Sequence, residues 1–145
     1  MLTTDYLSKI TGPDPRLALE VARFLVRRGR LKETQTRETM VIFEDARGDE
    51  WFVYMPSPFP MANQGPILLS ARPFVPDTHE GARWLWEAEE ALSKSERGAY
   101  VHRLYRVVYP TPGSLRSAEE FWWAFRHAPP WLCCVALLRA GGEAG

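Results

Sequence analysis

The run Trp131-Leu132-Cys133-Cys134-Val135-Ala136-Leu137-Leu138 constrains this chain most. Eight successive apolar residues leave no polar face to turn toward water. The run is also well short of the ~20 apolar residues a membrane-spanning helix needs. It must therefore be buried by the rest of the chain. A run of this length could be a buried strand or a buried helix. Pro129-Pro130 suits a helix start, Leu and Ala are good helix formers, and Gly141-Gly142 suits a stop. These flanks select a helix over 131–140.

Segments able to enclose it are legible upstream. Asp14-Pro15 pairs a capping residue with a proline at the first helical position, which predicts a helix near 15–28. Leu17, Val21, Phe24 and Leu25 form its buried stripe, and Gly29 ends it. Thr39-Met40-Val41-Ile42-Phe43 and Trp51-Phe52-Val53-Tyr54-Met55 are β-branched and aromatic, with a turn-rich link at 45–49. They predict a hairpin of strands 40–43 and 51–55, covered on both faces. Four prolines make 56–66 a loop, and 67–72 reads as a third strand stopped by Pro73. Asp77 and Glu80 have capping-box spacing before a helix near 78–94, with Trp84, Leu85, Ala88, Ala91 and Leu92 inward. Residues 100–109 read as a fourth strand. Ser117 and Glu120 cap a helix over 117–127 that buries Phe121, Ala124 and Phe125. The order predicts one domain spanning 1–145 of α/β content and α+β type. It is a layered α-β-α sandwich whose mainly antiparallel sheet is covered by helices.

A chain of 145 residues buries enough apolar surface to fold without disulfides or metals. Cys133 and Cys134 are adjacent, too close to pair without strain, and read as reduced thiols in a cytoplasmic setting. Met1-Leu2-Thr3-Thr4-Asp5 lacks the basic and apolar regions of a signal peptide. Lysine occurs only at positions 9, 32 and 94, so the basic residues are mostly arginine. Asn63, Gln35 and Gln64 are the only side-chain amides, a usage that suits a hot or GC-rich host.

Enzymatic chemistry finds no support in the motifs. No Gly-rich phosphate loop and no nucleophile elbow is present. His79, His102 and His127 are scattered, and adjacent cysteines lack zinc-site spacing. His102 reads as a half-buried strand residue and His79 as exposed in a helix's first turn. Cys133 and Cys134 read as small core residues, since nothing nearby in sequence would lower a thiol pKa. The expectation is a non-enzyme with no cofactor and no metal.

Two binding surfaces remain. Trp86 and Trp123 fall off their helices' buried stripes, and Phe59 and Met61 ride the proline loop. Arg23, Arg27 and Arg30 share a helical face with Arg16, broken only by Glu20. Trp and Arg are favoured interface anchors, so Arg23, Arg27, Arg30, Phe59, Trp86 and Trp123 are candidate protein-binding residues. The alternative is a nucleic-acid surface on the predicted strand. There Arg97, Tyr100, His102, Arg103, Tyr105 and Arg106 interleave basic and aromatic groups, with Arg103, Tyr105 and Arg106 as the sensitive positions. A net charge of zero argues against bulk attraction to nucleic acid.

Two passages, Val75-Pro76-Asp77-Thr78-His79-Glu80-Gly81-Ala82-Arg83-Trp84-Leu85-Trp86-Glu87-Ala88 and His127-Ala128-Pro129-Pro130-Trp131-Leu132-Cys133-Cys134-Val135-Ala136-Leu137-Leu138, resemble the bacteriophage ABA-sandwich domain family. The 75–88 passage is similar to that family's middle-helix start, although of its usual Tyr-Ser-Thr-Asp only Asp77 is clearly kept. The 127–138 passage is similar to its C-terminal Ala-Pro segment leading into an Ala-Leu helix that contains a cysteine, and the helix from Leu17 to Leu25 sits where that family also opens with one. The match spans about a third of the chain. The resemblance implies a layered α-β-α fold and a phage gene, and no activity. In size and composition the chain is also similar to a Thermus phage inhibitor of host RNA polymerase. Together these imply a phage accessory protein in the host cytoplasm, docking on a host protein, with RNA polymerase or its sigma factor as first candidate.

Overall fold

The computed structural model describes residues 3–37, 39–55, 71–108 and 117–141. A short helix α1 (Thr4–Ser8) leads into α2 (Pro15–Arg27). Asp14 caps α2 by accepting a hydrogen bond from the Arg16 amide, as its position before Pro15 predicts. At the other end Gly29 takes a positive φ of 75°. The Arg30 amide then donates to the Leu25 carbonyl and the Gly29 amide to Val26, which closes a Schellman motif. Leu17, Val21, Phe24 and Leu25 all face the core.

Four strands follow: β1 (Lys32–Thr36), β2 (Met40–Glu44), β3 (Glu50–Tyr54) and the short β4 (Arg72–Pro73). They lie in chain order, β1 to β3 antiparallel and β4 parallel to β3. The predicted hairpin is present, with Val41 opposite Val53 and Phe43 opposite Trp51. Gly48 supplies the positive φ of 87° that its turn needs. Val41, Phe43, Trp51 and Val53 point into the main core with the helices. Met40, Ile42 and Phe52 point to the opposite face, where they cluster with Ala71. Strand β1 has no apolar alternation and is exposed throughout, so nothing in its sequence announces it. Of the predicted strand 67–72, residues 67–70 lie outside the described residues. Pro73 belongs to β4 and does not stop it.

Four more helices complete the chain: α3 (Ala82–Glu90), α4 (Lys94–Val108), α5 (Ala118–His127) and α6 (Pro130–Ala140). Helix α6 is the predicted C-terminal helix, and its residues 133–138 are buried. None of the described helices is long and apolar enough to cross a membrane. The α+β class and the mainly antiparallel sheet are those expected from the sequence.

Three expectations need correction. Asp77 caps no helix. It is buried, accepts from the Asp14 amide at 2.6 Å, and so ties the segment before α3 to the start of α2. Helix α3 begins instead after Gly81, where a Cβ would stand 1.8 Å from the Val75 carbonyl oxygen. Next, 100–109 is no strand, because α4 runs through it. Ser93 and Glu96 form a reciprocal capping box: the Ser93 amide donates to Glu96 and the Glu96 amide to the Ser93 hydroxyl. Tyr100 and Leu104 then recur at i, i+4 and are both buried. Cap and helical stripe together outweigh the β-propensity of Tyr and Val. His102 is accordingly exposed on a helix, and His79 is exposed in the turn before α3. Finally, α5 starts at its Ser117 cap as predicted, yet Phe121, Ala124 and Phe125 are only half-buried.

Arg28 fastens α2 to the α3–α4 junction. Its guanidinium donates to both Glu96 carboxylate oxygens, at 2.8 and 2.5 Å, and lies over the Phe24 ring. The Arg28 hydrogen bonds hold Glu96 down to about 2, from an ordinary 4.5. This stabilisation is complete above the unfolded value of 4.5 and is lost as pH falls toward 2. Glu96→Gln should therefore cost roughly 1–2 kcal/mol at pH 7. Denaturant titration should show the deficit shrinking at pH 3. Gly81→Ala should cost more, about 2–4 kcal/mol, because the added methyl meets backbone. A melting temperature unchanged by that substitution would refute the close approach at Val75.

Candidate functional site

Helix α3 divides its tryptophans by helical geometry. Trp84 and Leu85 take the buried face, which leaves Trp86 about 100° further round the helix, where it is 68% exposed. Helix α5 divides its aromatics in the same way. Phe121 leans on Tyr105 and Phe125 on Tyr100, while Trp122 is 61% exposed and packs edge-on to Phe125 at 5.9 Å. Trp86 and Trp122 come from separate helices and line one cleft of about 440 Å³. Tyr100 of α4 and Cys133 of α6 also line it, as does Glu89 of α3.

The polar groups in this cleft are poorly matched. The Tyr100 hydroxyl is buried with no hydrogen-bond partner among the described residues. The Cys133 thiol beside it is a weak partner at best. Burial pushes the Glu89 carboxyl up to about 7, and the neighbouring Glu90 charge adds to the rise. Glu89 makes no ion pair among the described residues, whereas Glu90 lies 4.0 Å from Arg97. His79 and Arg126 also line the cleft. Burial pushes the Cys133 thiol up to about 11; the Tyr100 hydroxyl opposes this and Glu89 adds to it. Cys134 is raised further by complete burial, and it donates to the Pro76 carbonyl at 3.6 Å. Both thiols are core groups, as the apolar run predicts. Among the described residues, no three of His, Cys, Asp and Glu gather as a metal site requires.

The residues that the sequence marks do not converge on one surface. Trp86 is in the cleft. Trp123 is exposed as expected, but it stacks on His127 at 4.1 Å and does not line the cleft. Phe59 and Met61 lie outside the described residues. The arginine stripe is broken. Arg23 sits 3.8 Å from Glu20, and Arg27 is in the last turn of α2. Arg30 has been swung off the helix by Gly29 and pairs with Glu87 at 3.4 Å. Arg103, Tyr105 and Arg106 are helical, which removes the flat strand surface expected of them. The half-buried Tyr105 ring lies 5.3 Å from Phe121.

Sequence reasoning misses Trp122 and Glu89. A signal for Trp122 is present: Trp122 and Trp123 are adjacent on a helix whose inward face already holds Phe121 and Phe125. Trp122 and Trp123 stand about 100° and 200° round the helix from Phe121, off the face that Phe121 and Phe125 share. Nothing local marks Glu89, because its burial depends on α6 and α5 closing beside it.

Comparison with protein families, with curated proteins and with solved structures finds no match to this chain.

The raised Glu89 carboxyl has a signed consequence. Below pH 4.5 it is protonated in both folded and unfolded chains, so it costs nothing. Between 4.5 and 7 only the folded chain keeps the proton, and stability falls as pH rises; above 7 the penalty is complete. Glu89→Gln should raise the denaturation midpoint at pH 8 and leave it unchanged at pH 4. A midpoint difference independent of pH would show that Glu89 is not buried as described.

Proposed function

We propose that this protein works by docking on another protein, and that the Trp86–Trp122 cleft receives a long basic side chain of the partner. The observation that carries this reading is the placing of two exposed tryptophans, on α3 and α5, along one cleft. A surface tryptophan costs solubility, and large apolar groups set around one depression mark interaction sites. The cleft's chemistry chooses the occupant. Indole faces attract cations, and Glu90 with Glu89, ionised above pH 7, sets two carboxylates against Arg126, the one arginine that lines the cleft among the described residues. A lysine or arginine entering there would meet rings along its stem and a carboxylate at its head. It would also relieve the Glu89–Glu90 repulsion that helps to raise Glu89.

On this reading the protein is a non-enzymatic phage accessory factor acting on a host target. RNA polymerase or its sigma factor is the first candidate, through the resemblance to phage proteins. The raised thiols of Cys133 and Cys134 support the non-enzymatic part, because a nucleophilic cysteine needs a lowered pKa. The nucleic-acid alternative loses its main premise, since Arg103, Tyr105 and Arg106 share no strand.

The test is binding of the full chain to purified host RNA polymerase core and sigma factor, each measured separately. Trp86→Ala and Trp122→Ala should each weaken binding by about 2 kcal/mol, roughly 30-fold. Both variants should melt like the parent, since neither ring is buried. Tight binding to polymerase that ignores both substitutions would remove the cleft from the interface. Binding of nucleic acid alone, falling steeply with salt, would overturn the docking reading itself.

A further inference from the structure

On the other side of α3 lies a second cleft, of about 470 Å³, with a different character. Its walls are the α2 C-terminal turn, the β2–β3 turn, β4 and α3, and they bring Arg30, Arg47, Arg72 and Arg83 together. We infer that this cleft binds the phosphate group of a small phosphorylated molecule.

The inference starts from which charges are already used. Arg30 pairs with Glu87. Asp45 accepts the Trp51 indole N–H at 3.0 Å and the amides of Arg47 and Asp49. Burial alone would raise the Asp45 carboxyl, but those donors outweigh it and hold the group below its ordinary range. Asp45 thus stays ionised, with its oxygens committed to its own turn. Arg47, Arg72 and Arg83 have no carboxylate within 4.0 Å among the described residues. Against these three guanidinium groups the cleft sets one further carboxylate, Asp49, which lies within 4.0 Å of none of them, so acceptors remain in deficit.

Two features show that the deficit is held in place. Arg83 lies over the Trp51 ring at 4.6 Å and the Trp84 ring at 5.1 Å, and Arg72 lies 5.9 Å from the same Trp51 ring. A guanidinium stacked on an indole keeps its N–H edge free for in-plane, two-point bonding to an oxyanion. Trp51 is itself fixed by Asp45, so the platform is rigid. Independently, Trp84 lines this cleft, is 6% exposed, and its indole N–H has no hydrogen-bond partner among the described residues. A buried donor left unpaired costs free energy. A phosphate monoester dianion offers only acceptors, which is what the unpaired guanidinium groups lack. The cleft is within the range of small-ligand pockets, which leaves room for an organic group beyond the phosphate.

The experiment measures the melting temperature of the full chain, and calorimetric affinity, with inorganic phosphate, pyrophosphate, adenosine monophosphate and citrate. Sodium chloride at matched ionic strength is the control. Phosphate-bearing probes should raise the melting temperature above the chloride control, and citrate should do so far less. A stronger effect of adenosine monophosphate than of free phosphate would identify an organic phosphate as the source; the reverse would identify the free ion. Both support the site. Arg83→Lys keeps the charge but loses the planar fork, and should weaken pyrophosphate at least tenfold. Arg72→Gln, on an exposed edge, should do the same without disturbing the fold. Arg23→Ala, which does not line the cleft, should leave the pyrophosphate affinity unchanged. Equal shifts from chloride or citrate, or equal losses in all three variants, would overturn the inference. So would binding restricted to nucleic-acid polymers.

Discussion

A helix that is apolar on nearly every face must be surrounded, and most of this fold meets that demand for α6. Helices α2, α3 and α4 all pack against it. Cys134 and Leu137 lose all contact with solvent. The enclosure is close at its C-terminal end as well. A Cβ at Gly141 would stand 2.9 Å from the Phe24 ring, so only glycine lets α6 finish against α2 without a shift there. Three helices enclose successive turns of α6, and the sheet packs against α2 beside them. The elements leave gaps where they diverge at the surface. The tryptophan cleft is one such gap, between α3 and α5 above Cys133.

Hydrophobic enclosure sets which elements meet, but it is non-directional and leaves their angles loose. Polar contacts across long sequence separations supply the direction. Arg28 joins the end of α2 to the Ala91 carbonyl and to Glu96, across the junction between α3 and α4. Asp77 accepts from the Asp14 amide, while Asp14 accepts from the Tyr6 hydroxyl, so α1, α2 and the approach to α3 are fastened at one point. The Cys134 thiol reaches the Pro76 carbonyl from α6. Each contact involves a group that would be costly to bury alone. Their joint effect is to fix how α3 lies, and both clefts take a wall from α3.

What the sequence made legible follows the range of the interactions. The Asp14 and Ser117 caps, the Gly29 stop, the 40–54 hairpin and the α6 flanks are local chemistry, and each stands where the sequence puts it. The misreading of α4 is also local: β-branched and aromatic residues in 100–109 weigh less than the Ser93–Glu96 capping box just before them. Strand β1 is a different case. It is polar and exposed, and it exists because β2 offers an open edge, so only the pairing partner defines it. Its lysine and glutamate suit an edge that must not recruit another chain. The candidate site was half visible. Trp86 could be found from helical phase alone. That Trp122 would join it, with Glu89 raised between them, depends on α5 folding back beside α3 across some thirty residues of chain.

A net charge of zero conceals a further point. Summed over the chain, lysines and arginines together cancel the carboxylates, and the sum argues against a protein that coats nucleic acid. Recognition acts within a Debye length of about 8–10 Å, so it responds to the charges in one cleft and not to the total. Helix α3 separates those charges by phase. Arg83 and Glu87, four residues apart, face the arginine cleft, where Glu87 is occupied by Arg30 and Arg83 has no carboxylate at hand among the described residues. Trp86 and Glu90, also four apart, face the tryptophan cleft, with Glu89 beside them. One helix thus offers Arg83 and an already paired Glu87 on one side, and two carboxylates with an indole on the other. On the docking and phosphate readings, ligands of opposite charge go to two clefts that α3 keeps on different faces.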